Sequence, residues 1–266
     1  MCCPAQENEI YLHAGDANMI YINYGAPKSG SSLTFELTRA MFDVLGYKPI
    51  VLSAEARGDH SGKTHYTNTI RDFTPEVVAA VEAAEHADTI LLLRSHHGAS
   101  PAIASLIERG AAKHMVGIRD PRDIALSMLD VVMRLAEQKG RSHPMIRVGD
   151  LSSTLKTIEV NIARITSWAD IPGGLVLNYE QTAFDHTVTL DAICGQLGLD
   201  APRDSYGVIF ERATKRMARK VNVAKPHRHR RQMSAADQAD FLQRFKPFYD
   251  RFYPGATVMV EEGASA

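Results

Sequence analysis

The stretch Met19-Ile20-Tyr21-Ile22-Asn23-Tyr24-Gly25-Ala26-Pro27-Lys28-Ser29-Gly30-Ser31-Ser32-Leu33 constrains the fold of this chain more than any other. An apolar run of strand length is followed by a loop of small residues. Leu33, Leu37, Ala40, Met41 and Val44 then recur at helical spacing up to a stop at Gly46. A chain that turns sharply from strand to helix points several backbone N–H groups at one spot, and the helix dipole makes that spot attractive to anions. Lys28 adds a flexible point charge, and Ser29, Ser31 and Ser32 add hydroxyl donors. The loop therefore reads as a cradle for a phosphate or sulfate group.

The same alternation continues along the chain. Lys48–Ser53 reads as a short second strand, and Glu55–Asp72 as a polar excursion too long for a plain connector, a candidate lid or acceptor loop. Thr74-Pro75-Glu76 opens a helix running to about His86, with Thr74 as cap and Pro75 at the first helical position. The run from Asp88 to Leu93 is the length of a strand covered on both faces, and it ends in Arg94-Ser95-His96-His97-Gly98. A short helix, Pro101–Arg109, leads to the strand His114–Ile118 and then to Arg119-Asp120-Pro121-Arg122-Asp123. With Asp120 as N-cap and Pro121 at N1, a long helix should run toward Gln138.

Gly140–Asp150 breaks the helical pattern and Leu151–Ala169 resumes it. Leu175–Glu180 is another strand end. Helical segments follow near Thr187–Leu197, Tyr206–Lys220 and Ser234–Phe252, with the basic run Lys225–Arg231 between the last two. Strands alternating with helices predict βαβ units: an α/β three-layer sandwich whose central parallel sheet is flanked by helices. Such sheets bind ligands at the carboxyl ends of their strands. The clusters from Lys28 onward, Arg94-Ser95-His96, Arg119 and Tyr179-Glu180 all fall at those ends, which predicts one shared site. The reading is of an N-terminal extension 1–18, a single domain 19–256 and a tail 257–266.

The 266 residues suit one large α/β domain, and 45% apolar with 23% charged residues exclude disordered and collagen-like classes. A net charge of −1 leaves no global basic field for nucleic acid, so anion affinity must be local. Cys2, Cys3 and Cys194 show neither metal-ligand spacing nor a disulfide framework, and the N-terminus lacks the pattern of a secretory signal. No apolar run has the length of a membrane span. The expected location is cytoplasmic.

The Walker pattern places its lysine after the second glycine. Here Lys28 precedes Gly30, and no G-K-[ST] follows. The order Pro27-Lys28-Ser29-Gly30-Ser31-Ser32 instead resembles the 5′-phosphosulfate loop of sulfotransferases that use 3′-phosphoadenosine 5′-phosphosulfate (PAPS). Ile118-Arg119-Asp120-Pro121-Arg122-Asp123-Ile124-Ala125-Leu126-Ser127 resembles the 3′-phosphate motif of that family, in which an arginine at the strand end and a serine on the next helix grip the phosphate. Arg94-Ser95-His96 stands where the family has Lys-Thr-His, and Tyr179-Glu180 where it has Tyr-Glu near the adenine. Leu33 replaces a frequent aromatic, and the family's C-terminal Arg-Lys-Gly-x-x-Gly loop is not recognisable. Arg228 and Arg230 could close over the 3′-phosphate in its stead.

The resemblance implies a P-loop-NTPase-like sulfotransferase fold, with PAPS as donor, 3′-phosphoadenosine 5′-phosphate (PAP) as product and no metal required. It implies in-line sulfuryl transfer to a hydroxyl or amine of a small-molecule or carbohydrate-like acceptor. His96 would be the general base with His97 in reserve, and Lys28 would neutralise the leaving phosphate. Two alternatives stay open: a P-loop kinase with Asp120 as the magnesium carboxylate, and a protein that binds the nucleotide without turning it over. The oligomeric state is not readable.

Overall fold

The structure is a computed structural model that describes residues 18–59, 67–84, 89–139, 150–217 and 225–261. Five strands form one sheet: β1 (Asn18–Gly25), β2 (Thr69–Ile70), β3 (Thr89–Ser95), β4 (Ala112–Ile118) and β5 (Leu175–Asn178). Their order is β2-β3-β1-β4-β5, and every neighbouring pair is parallel. β1 is central, with Tyr24 opposite Ser95 of β3 and Val116 of β4.

The two-residue period of β1 sorts its side chains to two cores. Ile20, Ile22 and Tyr24 face one side, where they join α2 (Pro75–Glu82), α3 (Pro101–Glu108), α4 (Pro121–Lys139) and α5 (Leu155–Ala169). Trp168 lies at the heart of that core, stacked on Tyr24 with ring centroids 5.4 Å apart. Tyr21 faces the other side, where α1 (Ser31–Val44), α7 (His186–Leu197) and α8 (Tyr206–Met217) bury Phe35, Leu37, Ile193 and Ile209. The expected three layers are present.

The caps are those the sequence implies. The Thr74 hydroxyl accepts from the Val77 N–H at 3.3 Å, and the Asp120 carboxylate accepts from the Arg122 N–H at 2.9 Å.

Three boundaries differ from expectation. Lys48–Ser53 is not a strand: the Asn68 side chain occupies that edge, accepting from Leu52 N–H at 2.8 Å and donating to the carbonyls of Ile50 at 2.6 Å and Leu92 at 3.1 Å. One inserted amide satisfies the groups a ladder would have used, so β2 forms at Thr69–Ile70 instead. β5 ends at Asn178, so Tyr179 and Glu180 begin a short helix, α6 (Tyr179–Phe184), rather than ending a strand. The expected Ser234–Phe252 helix is split into α10 (Ala235–Arg244) and α11 (Lys246–Phe252), because Pro247 cannot continue the hydrogen-bond ladder.

The basic run contributes one turn, α9 (His229–Gln232), docked on α4. The start of the C-terminal tail lies against the domain, with Met259 bonded through both backbone groups to the Gln238 side chain. Residues 1–17, 60–66, 85–88, 140–149, 218–224 and 262–266 lie outside the described residues, the expected helix end near His86 among them. They include Cys2, Cys3, most of the N-terminal extension, the middle of Glu55–Asp72 and nearly all of Gly140–Asp150. Among the described residues, no helix is long and apolar enough to cross a membrane.

Candidate active site

The loop between β1 and α1 is shaped by unusual backbone. Gly30 has φ +82°, and a Cβ there would stand 2.2 Å from the Tyr179 ring, so both conformation and space demand glycine. Lys28 also lies in the left-handed region, at φ +72°. That conformation is disfavoured for a lysine by about 1 kcal/mol or more. It is held by Arg119, whose Nη1 donates to the Lys28 carbonyl at 3.1 Å. The Ser29 N–H and hydroxyl both turn back to the Ala26 carbonyl, at 3.1 and 2.8 Å.

Arg119 stands at the end of β4 with its guanidinium 4.2 Å from the centroid of the Tyr179 ring. Its Nη2 lies 3.8 Å from Asp123, and its Nε is buried without a hydrogen-bond partner among the described residues. Ser127 follows on α4 and is 4% exposed. Lys28, Gly30, Ser31, Ser32, Arg94, His96, Arg119, Ser127, Tyr179 and Arg228 line one cavity of about 370 Å³. Two expected residues are outside that lining. Ser29 is buried beneath the loop, and Arg230 is not on the cavity wall although its backbone carbonyl accepts from Glu261. Arg228 lines the cavity while its fork grips Asp130 at 2.6 and 3.0 Å.

The electrostatics favour an anion. The ammonium of Lys28 is depressed from its ordinary value, first by burial and then by the charges of Arg134 and Arg119, with Arg228 adding to them and Asp130 opposing. Arg94 reaches across from β3 to donate to the hydroxyls of Ser32 at 2.8 Å and Ser31 at 3.4 Å. A group with several negatively charged oxygens would relieve this clustered positive charge.

His96 leaves the end of β3 and its Nδ1 lies 2.6 Å from the Gly25 carbonyl. A carbonyl only accepts, so Nδ1 carries the proton and Nε2 of the neutral ring is left with a free lone pair. Burial, and next the Arg94 charge, push the His96 pKa down to about 4 against the pull of that hydrogen bond. The ring is neutral at physiological pH. Its backbone is clamped onto α5: Arg164 donates to the His96 carbonyl at 3.3 Å, Trp168 Nε1 to the His97 carbonyl at 2.8 Å, and Ala99 N–H to Ser167 Oγ at 3.0 Å. His96 also lines a second cavity of about 320 Å³ with Arg57, Asp59, Thr69, Arg71 and His97, so its imidazole stands between two spaces.

The fold has solved counterparts. Retinol dehydratase in complex with androsterone and inactive cofactor PAP matches at a TM-score of 0.58 and 14% identity, over 93% of this chain and 86% of that one. Mouse sulfotransferase SULT7A1 complexed with PAP matches at a TM-score of 0.55 and 13% identity, over 88% and 85%. This chain has the sulfotransferase fold. A second retinol dehydratase structure, with retinol and PAP, matches at a TM-score of 0.57 and 14% identity over 91% and 84%. No protein-family model matches the sequence and neither does any curated protein.

On this sulfotransferase fold, the far end of the larger cavity is built by residues that sequence reasoning passed over. Phe210, Thr214 and Met217 line it from α8, spaced four and three residues apart on one helix face. That stripe was legible as periodicity, but nothing in it signals a ligand rather than a core. The clamp by Arg164, Ser167 and Trp168 carries no local signal, whereas Arg57, Asp59 and Arg71 fall within the Glu55–Asp72 excursion read as a candidate lid or acceptor loop, although nothing local singles out these three.

Proposed function

We propose that this chain is a sulfotransferase that moves a sulfuryl group from PAPS to a hydroxyl or amine of a small polar or carbohydrate-like acceptor, leaving PAP. The observation that carries the reading is that Lys28, Arg119, Ser127 and His96 line one cavity, with Arg119 bonded directly to the Lys28 carbonyl.

PAPS, when bound, supplies a sulfuryl group already joined to a good phosphate leaving group. The N–H groups at the start of α1 hold its equatorial oxygens, with Arg94 and the Ser31 and Ser32 hydroxyls beside them. Arg119 and Ser127 hold the 3′-phosphate, with Arg228 available once it leaves Asp130. Tyr179 packs between Gly30 and Arg119 near the adenine, and Phe210 supplies an aromatic wall that position 33 lacks. Arg230, off the cavity wall, would take part only after movement of its turn.

His96 Nε2 takes the acceptor proton while the acceptor oxygen bonds to sulfur and the sulfur–oxygen bond to phosphate breaks. Lys28 neutralises the charge that this leaves on the phosphate oxygen. Its pKa is lowered by burial first and by cationic neighbours next, and an arriving polyanion opposes that shift.

The kinase alternative loses its metal ligand. Both Asp120 oxygens are engaged by the Arg122 guanidinium at 3.0 and 2.7 Å, and Oδ1 also accepts from Tyr249 at 2.9 Å.

Calorimetric titration with PAP, ADP and adenosine 5′-phosphate, followed by an acceptor screen with labelled PAPS, tests the reading. PAP should bind at least about tenfold tighter than adenosine 5′-phosphate, a preference that Arg119→Ala erases. Magnesium-dependent ATP consumption without PAP affinity would overturn it, and tight PAP binding with no product would favour a nucleotide-binding protein.

A further inference from the structure

The second cavity against His96 carries charged and imidazole groups on a lining that is otherwise partly apolar. Its walls are Arg57, Gly58 and Asp59 from the loop before β2, Thr69, Ile70 and Arg71 from β2 and its exit, and His96 with His97 from the end of β3. Arg57 is 3% exposed; its Nε donates to the Leu52 carbonyl at 3.2 Å and its Nη1 lies 3.5 Å from Asp59 without a hydrogen-bond partner. Asp59 therefore answers Arg57. Arg71 makes no hydrogen bond or ion pair among the described residues, and beside it His97 is shifted toward its neutral form by burial and by the Arg164 charge.

Arg57, Asp59 and Arg71 thus share a cavity of about 320 Å³, and the exposed Arg71 fork has no partner among the described residues. A cavity with two guanidiniums on its walls, Arg57 buried and Arg71 exposed, is matched by a small anion, for which arginine offers a planar two-point grip. A volume near the lower end for ligand sites limits that anion to a small molecule.

Resting on the sulfotransferase reading, we propose that the acceptor is a small hydroxylated or aminated molecule that itself carries a carboxylate or similar anionic group. Arg71, backed by Arg57, grips that group. The grip turns the opposite end of the acceptor toward His96 Nε2, where its proton is removed. Arg71 and Arg57 are specificity-determining residues that select charge and orientation, while His96 acts at the reacting atom.

The test uses the full chain saturated with PAP, so that the larger cavity is filled, and three probes that share a phenol ring: 4-hydroxyphenylacetate, its amide and tyramine. By calorimetry the carboxylate should bind at least about tenfold tighter than the amide or the cationic amine. Arg71→Gln should shrink that advantage to about twofold or less without altering PAP affinity. Arg57→Lys keeps the charge but removes the fork, and should weaken the carboxylate alone. Equal or tighter binding of the amide or of tyramine, or no binding of the carboxylate, overturns the proposal while PAP binding leaves the donor reading standing. Failure of PAP itself to bind removes both.

Discussion

Arg119 Nη1 donates to the carbonyl oxygen of Lys28 over 3.1 Å, joining two motifs that lie ninety-one residues apart in the chain. The contact exists because β1 and β4 are neighbours in register, Gly25 opposite Gly117, so their exits open side by side. It holds Lys28 in a left-handed conformation that the residue would otherwise avoid. Both ends of a doubly phosphorylated nucleotide would thereby be gripped by one connected unit.

His96 is the side chain whose removal should stop turnover without emptying the donor site. His96→Ala is expected to lower kcat by about 10²–10⁴-fold, with PAP binding retained. With a pKa near 4 in the free protein, activity measured as kcat/KM should be flat through neutrality and fall only on acidification toward that value. In the donor complex, added negative charge should move the acid limb of kcat upward. A pH–rate profile at low and at saturating donor checks both.

Gly30 cannot accept a side chain. Gly30→Ala meets the Tyr179 ring at 2.2 Å and retains φ +82°, so it should destabilise the protein by about 2 kcal/mol or more and cost PAP affinity. Adding Tyr179→Ala should recover part of the loss, because it relieves the clash but not the backbone strain. Thermal melts of the single and double variants, with their PAP affinities, measure the coupling.

Asp120 is structural on this reading. Asp120→Asn leaves the buried Arg122 guanidinium without its counter-charge and should lower stability by about 3 kcal/mol in urea denaturation. A chelator should leave the PAP affinity of the native protein unchanged. Chelator-sensitive nucleotide binding would return Asp120 to a metal site.

Glu180 gives stability a pH dependence of definite sign. Burial, with Asp120 and Asp123 adding to it, raises its pKa to about 7, against an ordinary value of 4.5. Between those values the folded chain holds a proton that the unfolded chain has released, so this contribution is present in full below about pH 4.5 and lost as pH rises through 7. His96 has the opposite sign from about pH 4 to 6.5: the unfolded chain binds the proton there, and stability rises with pH. Glu180→Gln should remove the loss toward pH 7, leaving the His96 trend exposed. Urea midpoints of both proteins from pH 5 to 8 read the difference.

Much of the architecture was legible in the order of residues. The apolar runs of β1, β3 and β4, the caps at Thr74 and Asp120, and the polar clusters at strand ends are local signals, because backbone hydrogen bonding and side-chain period act over a few residues. Boundaries went wrong where a distant partner intervened. Asn68 displaced the expected Lys48–Ser53 strand through its side-chain amide, and the start of α6 moved Tyr179 off the strand to lie against Gly30 and Arg119.

By itself, then, the sequence determined the strand-and-helix alternation, the anion-binding character of the Lys28 loop and the residues with chemistry to offer. Only tertiary structure decided which of them share a cavity. Ser29 and Arg230 are as polar as Ser31 and Arg228, yet burial beneath the loop and the turn of α9 keep the first pair off the wall. The tautomer of His96, the place of Arg71 on the second cavity and the apolar end at Phe210 likewise depend on groups brought together by sheet order. Local sequence cannot encode a neighbour that arrives from seventy residues away.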